Sequence, residues 1–151
     1  AGLLHDCGKI YNSGELISRA EDFDIPITEV ILDAPVDILH GPIGASVARE
    51  IFGIDDNEII MAIKHHTFGA NEMTLFSKLI FVADKINTVN NNYLGEINEI
   101  KSALARDLDL AVIQSFNLIL KNLIENNKLI YSQVVSSRNK MLLSLKQGSR
   151  I

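Results

Sequence analysis

The chain carries a single cysteine, Cys7, so it cannot form an internal disulfide, and a lone thiol fits a reducing cytoplasm. It has only three prolines and few Val, Thr or Tyr runs, which argues against a β-rich fold. Basic residues are in deficit: 14 Lys and Arg against 19 Asp and Glu leave a net charge of −5, with no basic footprint for a nucleic acid partner. Attraction for an anionic substrate must then come from a local cationic centre. No apolar run approaches the roughly 18 residues needed to span a bilayer, and no signal peptide opens the chain. An initial methionine is also missing. The chain starts inside an apolar helical pattern, which leads us to expect residues upstream of Ala1.

What remains is an ordinary globular composition, 47% hydrophobic over 151 residues, enough for one domain with its own core. Repeated 3.6-residue periodicity predicts an all-α bundle. Asn12 with Glu15 reads as a capping box for a helix over roughly 13–23. Ile27–Leu32 suggests a short helical turn before Pro35. Pro42 is expected to open a helix to about Phe52, stopped by Gly53, with His40 just ahead of it. Asp55 with Glu58 caps the next helix, which ends near His65-His66-Thr67. Thr74 starts another, with Leu75, Leu79, Val82, Ala83 and Ile86 as its apolar stripe. Asn90-Asn91-Asn92 is a loop, a short helix covers 96–105, Asp107 caps a long helix to about Glu125, and a last helix follows Ser132.

Five ligand-type residues stand out: His5, Asp6, His40, His66 and Asp84. Each has an ordinary alternative. His5-Asp6 could be a solvated helix end, His40 a turn residue, and His66 a C-terminal histidine favoured by the helix dipole. His65 is expected to be exposed and without a role. Asp84 follows Leu79-Ile80-Phe81-Val82-Ala83, and a buried carboxylate there must find water, a cation or a metal. Together the five suit borderline divalent metals such as iron, manganese or zinc. A bridging Asp6 carboxylate could hold two ions about 3.5–4 Å apart, the spacing of two-metal hydrolysis.

The ordered segments Leu3-Leu4-His5-Asp6 with Lys9, Leu39-His40-Gly41-Pro42 with Gly44-Ala45, His66-Thr67 with Gly69, and Val82-Ala83-Asp84 resemble the HD superfamily of metal-dependent phosphohydrolases. Within it the likeness is to the YqeK family of symmetrical bis(5′-nucleosyl)-tetraphosphatases. It covers 1–86 strongly and resumes more weakly at Asp107–Ala111 and Leu123–Leu143. The resemblance implies a single HD-domain helical bundle over 1–151, lacking the helix that carries a further metal-binding histidine upstream. It implies a cytoplasmic enzyme that splits diadenosine tetraphosphate into two ADP by metal-hydroxide attack on phosphorus, at two divalent ions, iron in the family. His5 and Asp6 would be the metal pair, with Asp6 bridging. His40 and His66 would bind one ion, and Asp84 the other with His5. Lys9 would meet substrate phosphate, while Thr67 and Gly69 would shape the phosphate-side wall. Asp6, Lys9 and Asp84 would thus carry the catalytic roles. The partner would be a small nucleotide, with no nucleic acid and no membrane; the apolar later helices leave room for a homodimer face.

Two segments depart from the family pattern. After the Val-Ala-Asp tripeptide the family continues with tyrosine, isoleucine, glutamate and proline, then an arginine; here Asp84 is followed by Lys85-Ile86-Asn87-Thr88-Val89-Asn90-Asn91. Phe68 replaces the second threonine of the family's His-Thr-Thr-Gly. These changes keep two alternatives open: an HD enzyme acting on another nucleotide phosphoester, and a non-catalytic HD-fold nucleotide-binding module.

Overall fold

The computed structural model describes residues 1–87 and 91–148. Among them are eight α-helices and two 3-10 turns, with no strand, as the periodicity implies. A 3-10 turn at Cys7–Ile10 leads into α1 (Ser13–Asp22), α2 (Glu29–Asp33), α3 (Pro35–Glu50), α4 (Asn57–His65) and α5 (Leu75–Asn87). A second turn at Asn91–Tyr93 precedes α6 (Leu94–Leu104), α7 (Leu108–Glu125) and α8 (Ser132–Gly148).

Local chemistry explains most of the starts. The Asn12 side chain accepts from the Glu15 amide while the Glu15 carboxylate accepts from the Asn12 amide at 2.8 Å, a complete capping box. Thr28 accepts from the Ile31 amide, Thr74 from the Ser77 amide, and Asp107 from the Asp109 and Leu110 amides. At α4 the cap is Asp56, one residue beyond the expected Asp55.

Two expectations are corrected. α3 starts at Pro35 and runs straight through Pro42, so His40 lies inside the helix rather than ahead of it. An interior proline costs about 3 kcal/mol through the lost amide donor and a ring clash. Here the burial of Ile38, Leu39, Ile43, Ala45 and Val47 outweighs it. The stripe of α5 is partly rotated: Val82 and Ile86 face the core as expected, but Leu75 is 69% exposed and Leu79 44%, and Ser77 and Phe81 are buried in their place. Phe81 packs against Phe116 of α7 with ring centres 4.9 Å apart, and that large ring sets the inward face. Asn91 falls in the second 3-10 turn, and Asn90 lies outside the described residues.

The bundle is organised about two groups. α3 packs on the first 3-10 turn, α1, α2 and α4, burying Leu16, Ile31, Leu39, Ile43 and Val47. α5 joins α4 to a second group in which α7 lies against α6 and α8, burying Phe81, Ile97, Ile100, Val112 and Phe116. His40 comes from the first group and Asp84 from α5, where the groups meet.

Candidate metal centre

Four segments converge at that junction. His5 and Asp6 precede the first 3-10 turn, which is pressed onto α3 through Gly8. A Cβ on Gly8 would lie 2.1 Å from the His40 carbonyl oxygen, so only glycine allows this approach. The Cys7 thiol donates to the Gly44 carbonyl at 3.2 Å and fastens the same contact. α3 supplies His40, the chain leaving α4 supplies His66 and Thr67, and α5 supplies Asp84 and Lys85.

Hydrogen bonds fix the tautomers. Nδ1–H donates to a backbone carbonyl in all three histidines: His5 to Gly2 at 2.8 Å, His40 to Val36 at 2.6 Å, and His66 to Ile63 at 2.7 Å. A carbonyl can only accept, so in the neutral rings each Nε2 carries a lone pair. Burial pushes the His66 ring down to about 4 and lowers His40 as well, so both are neutral at pH 7. Their Nε2 atoms nevertheless face each other at 3.0 Å, and each lies 3.4 Å from Asp6 Oδ1. Thr67 Oγ1 sits 3.0 Å and 3.1 Å from the two nitrogens, but one hydroxyl hydrogen can serve only one of them. Asp6 Oδ1 is buried and has no hydrogen-bond partner. Acceptors therefore outnumber donors at this point, which is the composition a cation satisfies.

The other half of the cluster is more open. His5 Nε2 is 3.7 Å from Asp6 Oδ2 and 3.7 Å from Asp84 Oδ1. His5, Asp6 and His66 alone bring three ligand-type atoms within 4.8 Å of one another. Burial raises the Asp6 carboxyl, but the Lys9 hydrogen bond and charge, with His5 and His40 nearby, hold it below the usual carboxylate range. Imidazole and carboxylate donors in this number fit a borderline divalent ion.

The structure thus brings together His5, Asp6, His40, His66 and Asp84. Lys9 is beside them, its ammonium 2.8 Å from Asp6 Oδ2, and Thr67 lies over the imidazoles. Gly69 does not face this cluster. It adopts φ +66°, and a Cβ there would lie 2.5 Å from the Phe116 ring, so its demand is backbone conformation and core packing. His65 is corrected: it is half-buried rather than exposed, with Nδ1 unpaired and burial lowering its ring to about 4.

Sequence reasoning gave Lys85 no role. Its ammonium is 2.7 Å from Asp84 Oδ2 and 3.4 Å from the His66 carbonyl. Burial lowers it from the usual lysine range while Asp84 holds it up. A lysine after the aspartate of an apolar helix was the available signal. Also unforeseen was the cavity of about 360 Å³ that opens from the cluster, walled by Tyr93, Ile97, Leu118, Ile119 and Asn122. From the sequence, none of those residues is assigned to a site.

An all-helical scaffold that gathers three imidazoles and two carboxylates beside a small-molecule cavity forms a candidate site for metal-dependent hydrolysis. The HD domain family model matches residues 1–88, and the chain belongs to that family. The symmetrical bis(5′-nucleosyl)-tetraphosphatase of Halalkalibacterium halodurans is 32% identical over 97% of this chain and 76% of its own length. The Bacillus subtilis enzyme of the same name is 29% identical over 92% and 73%. A solved structure from Clostridium acetobutylicum, described as an HD superfamily hydrolase involved in NAD metabolism, superposes with a TM-score of 0.83. It is 27% identical and the match covers 94% of this chain and 74% of that one. No helix among the described residues is long and apolar enough to cross a membrane.

Proposed function

We propose that this protein hydrolyses diadenosine tetraphosphate symmetrically, to two ADP, at a centre of two divalent ions. Two lines support the reading: the relatives carry that activity in their names, and Asp6 points its two oxygens in different directions. Oδ1 faces His40 and His66, and Oδ2 lies toward His5, the disposition a bridging carboxylate needs. Ions held there, iron or alternatively manganese or zinc, supply an activated water near neutral pH and neutralise phosphate oxygens.

The chain's own residues do the rest. His40 and His66, kept neutral by burial, present Nε2 as donor atoms, while Asp84 and His5 complete the open side. Lys9, whose side chain is half exposed, swings from Asp6 to a phosphate oxygen as a flexible point charge. Thr67 places a hydroxyl over the imidazoles, where it can donate to phosphate. The cavity of about 360 Å³ lies within the range of about 300–1,000 Å³ typical of ligand sites, and its apolar wall suits a nucleoside half. The lone thiol and the nucleotide substrate fit a cytoplasmic setting.

The test is turnover of diadenosine tetraphosphate by purified protein supplied with iron or manganese, with products separated by chromatography. Two ADP are expected. ATP with AMP would show asymmetric cleavage and overturn the assignment, as would metal-loaded protein that yields no product. Cleavage of other nucleotide phosphoesters instead would select the second reading motivated by Lys85 in place of the family's tyrosine.

A further inference from the structure

Asp6 and Asp84 are held in the same way. One oxygen of each faces imidazole and the other takes a lysine: Lys9 at 2.8 Å from Asp6 Oδ2, Lys85 at 2.7 Å from Asp84 Oδ2. The two lysines differ in burial. The Lys9 side chain is 50% exposed and free to leave, whereas that of Lys85 is 12% exposed. Lys85 also donates to the His66 carbonyl at 3.4 Å, so one ammonium ties α5 to the chain leaving α4. Its Nζ lies 5.4 Å from the centre of the Phe81 ring, over a side chain that is fully buried. Neighbouring residues on a helix point about 100° apart, so Lys85 does not meet Asp84 by helix geometry alone. The pair forms because the long stem is confined beneath the site.

We propose that Lys85 is a positioning residue of the metal centre. Its ammonium fixes the rotation of the Asp84 carboxylate so that Oδ1 stays toward His5, and it moors the His66 turn against α5. The proposal rests on the metal-dependent reading above and makes no use of the substrate.

Two effects of removing Lys85 have opposite signs. Loss of a hydrogen-bond partner of a ligating carboxylate weakens metal binding about 10–100-fold. Loss of a nearby positive charge, by itself, strengthens binding of a cation. The direction of the change therefore separates positioning from a purely electrostatic presence. Manganese is titrated calorimetrically into metal-stripped wild type, Lys85→Met, Lys85→Arg and Lys9→Met. Lys85→Met should bind about 10–100-fold more weakly. Lys85→Arg should recover part of the loss, because it keeps a donor to Asp84, and Lys9→Met should lose less than Lys85→Met because Lys9 is exposed. Wild-type or tighter binding in Lys85→Met overturns the proposal. If Lys85→Met does not fold, Lys85→Gln answers the same question by the same criterion. Wild type that binds manganese without cleaving the dinucleotide overturns the proposed activity and leaves this inference standing. Wild type that binds no manganese overturns both.

Discussion

Replacing Gly8 by alanine puts a methyl group where α3 already stands. Its Cβ would lie 2.1 Å from the His40 carbonyl oxygen and 2.9 Å from both the His40 carbonyl carbon and the Gly44 nitrogen. These are backbone atoms of a buried helix, so no side chain can rotate aside. Raising the shortest contact to 3.0 Å requires the 3-10 turn to withdraw by about 0.9 Å. His5 and Asp6 lead directly into that turn, and Asp6 Oδ1 retreats with it from the imidazoles that now lie 3.4 Å away. A misplacement of about 1 Å costs on the order of 10²-fold in rate, and overpacking costs about 1–3 kcal/mol in stability. For a chain of this size the latter is a fall of about 2–12 °C in Tm. Two other glycines calibrate the result. A Cβ on Gly44 would meet the Gly8 nitrogen at 3.1 Å, a milder contact, and alanine is favoured over glycine within a helix by about 1 kcal/mol. Gly44→Ala should therefore be near neutral in Tm, with a smaller loss of metal affinity. Gly2→Ala meets nothing within 4 Å and should match wild type. Thermal unfolding, manganese titration and ADP formation are measured on all three. A Gly8→Ala protein indistinguishable from Gly2→Ala would refute the idea that this contact sets the register of the centre.

Asp6→Ala removes the carboxylate between the buried imidazoles and Lys9, and should abolish bound metal and turnover together; metal content after gel filtration checks the first and product chromatography the second. Metal-free protein should lose stability as pH falls below about 6.5, the ordinary histidine value, with the loss levelling off near 4. His65 and His66 are both depressed to about 4, so between those pH values the unfolded chain binds more protons than the folded one. Urea midpoints that stay flat from pH 7 to 4.5 would show that these rings are solvated. Gly69→Ala combines a left-handed backbone, costing about 1–2 kcal/mol, with a Cβ 2.5 Å from a buried Phe116 ring. It should lower stability by about 2–5 kcal/mol while the protein that remains folded binds manganese normally; a selective loss of metal or substrate affinity would restore Gly69 to the site wall.

The cluster at the junction was legible because ordered motifs name its members and because histidine is scarce: the chain has four, and three of them meet there. The structure buries His40 and His66 almost completely, where each Nε2 needs a partner, and Asp84 behind an apolar run posed the same problem in advance. Helix starts were legible at Asn12 and Asp107, where the side chain performs the capping itself, while at α4 the cap fell on the second of two adjacent aspartates. Reading failed where distant packing chooses between locally equivalent options. Pro35 and Pro42 both look like first-turn prolines, and only the buried surface of α3 decides that the second is carried inside. On α5 the leucines at 75 and 79 are as apolar as Phe81, but only the meeting with Phe116 turns Phe81 inward. That rotation also explains why Lys85 went unassigned. With the 75/79 face inward, Lys85 has no reason to be near the cluster; with Phe81 inward, its stem crosses the same ring and its ammonium is delivered to Asp84 and the His66 carbonyl. One misplaced stripe therefore hid both the true face of the helix and the cation that the centre's second carboxylate leans on.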